Sequence, residues 1–130
     1  MNILFLDDDP TRVADFTRNT NKDVVIVHVK SIHEFNLCLG SVIRWDWIFL
    51  DHDLGVEESP NGQDAARIIA DNPWLVDDDQ RIVIHSGNSY GVAKMMDILK
   101  HRDSCRVDVI WNAWDRARYS EEYGLFFVQM

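Results

Sequence analysis

Trp47-Ile48-Phe49-Leu50-Asp51-His52-Asp53-Leu54-Gly55 is the stretch on which the reading of this 130-residue chain turns. Four apolar residues in a row suit the centre of a parallel sheet, where both faces are covered and the pattern is continuous instead of alternating. The run stops at Asp51, and open α/β sheets gather their ligands in the crevice beyond the C-terminal ends of the strands. The amino terminus repeats the arrangement, with Ile3-Leu4-Phe5-Leu6 running straight into Asp7-Asp8-Asp9. If the two strands are parallel neighbours, up to five carboxylates approach one another. Like charges at about 4 Å repel by roughly 1 kcal/mol per pair in water and about 4 kcal/mol at an effective dielectric near 20. Such a cluster calls for a compensating cation or a shared proton, and a hard divalent ion with oxygen ligands, Mg²⁺ first or Mn²⁺, is the natural candidate.

Outward from these two strands the chain alternates strand and helix. Asp9-Pro10 reads as the cap and first turn of a helix over residues 11–18, which the Asn19-Thr20-Asn21 cluster ends. The β-branched run 24–29 is a second strand, and Ser31 with Glu34 forms a capping-box pattern for a second helix toward Gly40. His33, in the first turn of that helix, reads as a surface residue. After Asp51-His52-Asp53 a long polar loop through Glu57, Glu58 and Ser59 leads to a helix over 63–70, and loops of that length at this face are often functional. Asp77-Asp78-Asp79 precedes a strand, so it reads as a solvated turn at the opposite end of the sheet. The fourth strand, 81–85, ends in His85-Ser86-Gly87-Asn88, where small and hydroxylated residues let a backbone approach a phosphate. A helix to about residue 100 follows, with Met95 and Met96 as core filler, then a fifth strand over 107–111 and a short charged helix over 115–123. The apolar end Leu125–Met130 reads as a strand folding back on the domain or as cover for a subunit or partner interface, with folding back the expectation.

The order βαβαβαβαβα with right-handed crossovers predicts one domain over residues 1–130, a flavodoxin-like, doubly wound, five-stranded parallel sheet in the order 2-1-3-4-5. Its switch point falls between the first and third strands, the two that end in aspartates.

Net charge and cysteines bound the function. A formal charge of −9 argues against a broad nucleic-acid surface and against an anionic membrane surface, but leaves open a nucleic-acid end held through a metal. Cys38 and Cys105 lack metal-ligand spacing and read as reduced thiols. No apolar run approaches the roughly 20 residues of a membrane span, and Met1-Asn2-Ile3-Leu4-Phe5-Leu6 lacks the flank of a signal peptide, so a soluble, cytoplasmic protein is expected.

These residues resemble the receiver domain of two-component response regulators. Leu6-Asp7-Asp8-Asp9-Pro10 is similar to the acidic pair that holds Mg²⁺ in that family. Asp51 falls at the phospho-acceptor position, Asp53 at the residue whose backbone carbonyl helps hold the metal, and Ser86 at the hydroxyl beside the phosphoryl group. Receivers carry a lysine at the end of the fifth strand. Trp111-Asn112-Ala113 stands there instead, leaving Lys94 and Arg116 as candidate substitutes. Leu50-Asp51-His52-Asp53-Leu54 and Ile84-His85-Ser86-Gly87-Asn88, followed by Gly91 and Met95-Met96, resemble a divergent receiver group predicted to process cyclic phosphates, associated with RNA end repair and with phage or bacterial conflict systems.

Three functions follow as expectations. As a metal-dependent phosphoesterase acting on a cyclic phosphate or nucleotide end, the chain would hold Mg²⁺ or Mn²⁺ on Asp7, Asp8, Asp51 and the Asp53 carbonyl. His52 and His85 would move protons, and Ser86, Gly87 and Asn88 would hold phosphate oxygens. As a signalling module, Asp51 would accept a phosphoryl group. As a binding or inhibitor protein, the same pocket or the apolar tail would engage a partner without turnover. An imidazole next to Asp51 need not share its ligand, because successive strand side chains point to opposite faces.

Overall fold

The two apolar runs become neighbouring parallel strands, β1 (Asn2–Leu6) and β3 (Trp47–Leu50), with Phe5 opposite Phe49 and Leu6 opposite Leu50. The computed structural model describes residues 1–20, 24–55, 60–100 and 106–129. With β2 (Val25–Val29), β4 (Arg81–Ile84) and β5 (Arg106–Val109) they form a five-stranded parallel sheet in the order β2-β1-β3-β4-β5, as expected. The loop residues Glu57, Glu58 and Ser59, the helix-ending Asn21, Cys105 and the terminal Met130 lie outside the described residues.

Alternate residues of the continuous strands pack against different helix layers. Leu4, Leu6, Ile48, Leu50, Ile82 and Ile84 meet the layer of α2 (Ile32–Leu39), α3 (Gly62–Asp71) and α4 (Ser89–Leu99), through Phe35, Leu39, Ala65, Ile69, Met95 and Leu99. Ile3, Phe5, Phe49 and Val83 meet Phe16 of α1 (Pro10–Asn19) and the C-terminal segment on the other face. Burying each large apolar side chain contributes about 1.5–3 kcal/mol, so covering both faces is what holds the central strands.

Local signals place the helix starts. The Asp9 carboxylate accepts from Thr11 N–H with Pro10 in the first turn, and the Ser31 hydroxyl accepts from Glu34 N–H. His33 is exposed, and the Asp77 turn sits before β4, paired with Arg44 at 2.6 Å.

The C-terminal reading needs correction. No helix spans 115–123: α5 (Ala113–Arg116) is four residues long, and β6 (Ala117–Ser120) and β7 (Gly124–Phe127) form an antiparallel hairpin. Ala117, Tyr119, Leu125 and Phe127 share the inward face, and the Phe127 ring lies 5.8 Å from Trp47. This period of two outweighs the helix propensity of the charged residues between. The apolar end therefore folds back as a strand. β5 also stops at Val109, before Trp111, where Asn112 turns the chain with a left-handed φ of 54°. Among the described residues no helix is long and apolar enough to cross a membrane.

Candidate functional site

Backbone pairing delivers two aspartates to one place. Asp7 N–H donates to Val29 O at 3.1 Å and Asp51 N–H to Leu6 O at 3.1 Å, so both residues end a strand at the same level. Asp7 is fully buried and its Oδ1 accepts from Asp9 N–H at 2.8 Å. Asp51 is buried too, with Oδ1 accepting from His52 N–H at 2.9 Å. Asp8 is exposed, and one carboxylate oxygen from each of Asp7, Asp8 and Asp51 lies within 4.8 Å of the others.

Burial governs the protons here. It pushes Asp51 up to about 7, and the neighbouring Asp7 carboxylate adds to the shift. It pushes Asp7 up to about 6, opposed by the Asp9 amide and the Arg12 charge.

Arg12 was not anticipated as part of this site. Its Nη1 lies 3.4 Å from Asp7 Oδ1 and 3.4 Å from Asp51 Oδ2, and its guanidinium sits 4.9 Å over the Trp114 ring. The available signal was the Asp9-Pro10 helix start, which sets Arg12 in the first turn of α1 directly behind the acidic triplet. The two cations considered as lysine substitutes lie elsewhere. Lys94 Nζ rests 5.4 Å over the Tyr90 ring, and Arg116 donates to the Val128 and Trp111 carbonyls.

The two histidines occupy opposite faces of the sheet. His52 turns to the α3/α4 side, with Nδ1 2.8 Å from Asp53 Oδ1 and Nε2 2.9 Å from Gln63 Nε2. Its ring fills the space above Gly91, where an added Cβ would stand 2.3 Å from Cγ. Both nitrogens are thus engaged, and His52 acts as a brace between the loop and the two helices. Asp53 is exposed; its carboxylate takes His52 and Asn88, and the His52 bond holds its pKa below the usual range.

His85 turns to the α1/α5 side among Phe5, Phe49 and Trp114, with ring centroids 4.9, 6.1 and 5.7 Å away. Neither ring nitrogen has a hydrogen bond of acceptable geometry, and Nδ1 is 3.7 Å from Asp7 Oδ2. Burial pushes the imidazole down to about 3, the Arg12 charge adds to this, and the Leu6 backbone opposes it. His85 is therefore a neutral ring in an aromatic box. Replacing it with Leu removes two unsatisfied nitrogens, and urea denaturation at pH 7 is expected to show a gain of about 1–3 kcal/mol. The sign with pH is fixed: unfolded His85 takes up a proton below about 6.5, folded His85 only near 3, so the wild type loses stability as pH falls through that window. The advantage of His85→Leu should grow by about 2 kcal/mol between pH 7 and pH 5; an advantage that shrinks would show that the ring charges in place.

Ser86 lies at the end of β4, buried, with Oγ accepting from Asn88 N–H at 3.1 Å. The Asn88 side chain caps α4 by accepting from Gly91 N–H at 2.9 Å. Ser86, Gly87 and Asn88 thus form a turn one strand over from Asp51, with Gly87 exposed.

Residues 2–101 match the family described as the cyclic-phosphate processing receiver domain. The chain belongs to this family. The receiver fold is seen equally in solved structures. A response regulator from Burkholderia pseudomallei, with a phosphorylated aspartic acid, calcium ion and citrate, is 17% identical with a TM-score of 0.59, over 82% of this chain and 58% of that one. The receiver domain of a DNA-binding response regulator from Colwellia psychrerythraea 34H is 15% identical with a TM-score of 0.59, over 83% and 85%. The Mn²⁺-bound form of response regulator Rcp1 is 15% identical with a TM-score of 0.59, over 82% and 78%. The present chain thus spans less than two thirds of the Burkholderia protein. No curated protein matches it. At these identities the likeness to solved structures is one of fold, and this receiver domain's chemistry has to be read from its own residues.

Proposed function

We propose that this receiver domain binds a phosphate ester, a cyclic phosphate or nucleotide end, beyond the C-terminal ends of β1, β3 and β4, and opens it with the help of a divalent cation. The observation that carries the reading is the set of three carboxylate oxygens within 4.8 Å, two of them from buried residues. Hard oxygen donors whose burial raises their pKa fit Mg²⁺ or Mn²⁺, since a dication stabilises the ionised pair. Asp7, Asp8 and Asp51 would hold it, with the Asp53 carbonyl added by the family resemblance. When bound, the ion supplies Lewis acidity that offsets charge on the phosphate oxygens.

The chain's own residues do the rest. The Ser86 hydroxyl accepts from Asn88 N–H and keeps its own proton to donate to a phosphate oxygen. Gly87 brings no side chain of its own to the phosphate, and the Trp111 ring lies 3.4 Å from where a Cβ would stand. Opening a cyclic phosphate adds water across one P–O ester bond: the water oxygen joins phosphorus and the departing ester oxygen takes a proton. The two histidines expected to carry that proton are poorly placed for it: His85 is held neutral by burial and His52 is engaged at both nitrogens. Asp51, which a bound cation would hold ionised, serves the metal and not the proton.

The test is release of ring-opened product from 2′,3′-cyclic and 3′,5′-cyclic phosphates with Mg²⁺, Mn²⁺ or EDTA, using wild type and Asp51→Asn. Metal-dependent opening that the substitution abolishes is the expected result. The Burkholderia regulator's phosphorylated aspartate supports a second reading, in which Asp51 accepts a phosphoryl group. A stable phosphoryl adduct from a small-molecule phosphodonor, absent in Asp51→Asn and unaccompanied by turnover, would favour that reading over hydrolysis.

A further inference from the structure

We propose that Arg12, on α1, is the phosphate-facing cation of this site, in the role that a lysine at the end of β5 would otherwise have. The inference rests on the phosphate-binding reading above and names the residue that would recognise the anion.

Four observations converge on it. The Arg12 Nη1 contacts to Asp7 and Asp51, at 3.4–3.5 Å, exceed the 2.7–2.9 Å of a closed charge-assisted bond. The guanidinium therefore bridges two strand ends without being locked to either carboxylate. Second, the plane is held from outside the cluster, by the Trp114 ring at 4.9 Å and by Nε lying 3.7 Å from Asp9 Oδ2. Third, Nη2 has no hydrogen bond among the described residues and the side chain is 34% exposed, so donors remain for a ligand. Fourth, among the described residues no other Lys or Arg pairs with Asp7 or Asp51; Lys94 and Arg116 are committed elsewhere.

A phosphate arriving beside Asp51 brings negative charge against a buried carboxylate, which a local cation must offset. A guanidinium fork matches two phosphate oxygens, and a cation held over an indole has less freedom to lose on meeting them. The same charge repels a dication bound to Asp7 and Asp51. Arg12 therefore acts with opposite sign on the two ligands, which a purely structural counter-ion would not do.

The experiment uses the full chain and two binding measurements that need no turnover. Mn²⁺ affinity is read from the paramagnetic signal of the free ion, and inorganic phosphate affinity from phosphorus NMR relaxation at saturating Mn²⁺. Arg12→Gln should bind Mn²⁺ about tenfold more tightly, because a repelling unit charge is gone, and phosphate about tenfold more weakly, the scale of one charge-assisted contact. Arg12→Lys, which keeps the charge and loses the fork, should leave Mn²⁺ affinity within about twofold and weaken phosphate a few-fold. Phosphate affinity unchanged in both variants would overturn the assignment. Should Arg12→Gln fail to fold, Arg12→Lys decides alone: wild-type phosphate affinity in that variant overturns the proposal, and a few-fold loss supports it. Phosphate binding that depends on Arg12 in a protein that opens no cyclic phosphate would sink the hydrolytic reading and leave this one standing.

Discussion

Asp51→Asn is expected to stabilise the metal-free domain at pH 8 by about 2–4 kcal/mol and to change its stability little at pH 4. The reason is the cost of ionising a buried carboxyl. Folded Asp51 keeps its proton up to about 7, whereas the unfolded residue loses it near 3.8. Between those values the folded state holds more protons than the unfolded state, so stability falls as pH rises through the window and is flat above it. Asparagine carries no such charge, and its side-chain oxygen can still accept from His52 N–H. Asp7 acts in the same direction up to about 6, and His85 in the opposite direction between about 3 and 6.5. The difference between wild type and Asp51→Asn removes the His85 contribution and reads Asp51 together with its coupling to Asp7. Urea denaturation in EDTA at pH 4, 6 and 8 reads it directly, and equal stabilities at pH 8 would rule out the buried, proton-retaining Asp51. Adding Mn²⁺ at pH 8 should stabilise the wild type and do much less for the variant, since only the wild type offers all three carboxylates. A group that destabilises the empty fold and gains from a cation is what a binding site maintained at the expense of stability looks like.

Gly62→Ala is expected to be the most damaging single-methyl change, with a loss of about 3 kcal/mol or more. Gly62 starts α3 and donates its N–H to His52 O at 2.9 Å. An added Cβ would stand 2.2 Å from the Asp51 carbonyl oxygen and 2.7 Å from His52 Cα. Both neighbours are backbone, so neither can swing aside as a side chain would. Relief requires moving the segment that carries Asp51, and Mn²⁺ affinity should fall together with the urea midpoint. Gly40→Ala provides the comparison: its nearest contact is Asn36 O at 3.4 Å and its φ is −83°, so a change within about 0.5 kcal/mol is expected there. If Gly62→Ala behaves like Gly40→Ala, the close approach of α3 to the strand end is not what fixes Asp51.

Much of this architecture was legible in advance. Continuous apolar runs at residues 3–6 and 47–50 have few ways to be buried on both faces, and a parallel sheet with helices on each side is the simplest. Chain order and right-handed crossovers then made the strands bearing Asp7 and Asp51 neighbours. The first strand of the C-terminal hairpin, β6, was missed because alternation over 117–127 is diluted by charged residues that also suit a helix. Only the packing of Leu125 and Phe127 onto Ala117, Trp47 and Phe49 separates the two.

By itself the sequence determined the fold class, the strand order and the meeting of the carboxylates, because backbone ladders and two-sided burial act on runs of residues and are blind to single side-chain directions. Tertiary structure alone decided which neighbours each polar side chain meets. It sent His52 into the notch over Gly91 and His85 into an aromatic box, although each lies one residue from a candidate site residue in the chain. It also carried Arg12, 39 residues from Asp51 in sequence, to that carboxylate. The physical reason is that a strand end turning into a loop gives up its alternation, so where a side chain points there is set by the space and charge that other elements leave around it.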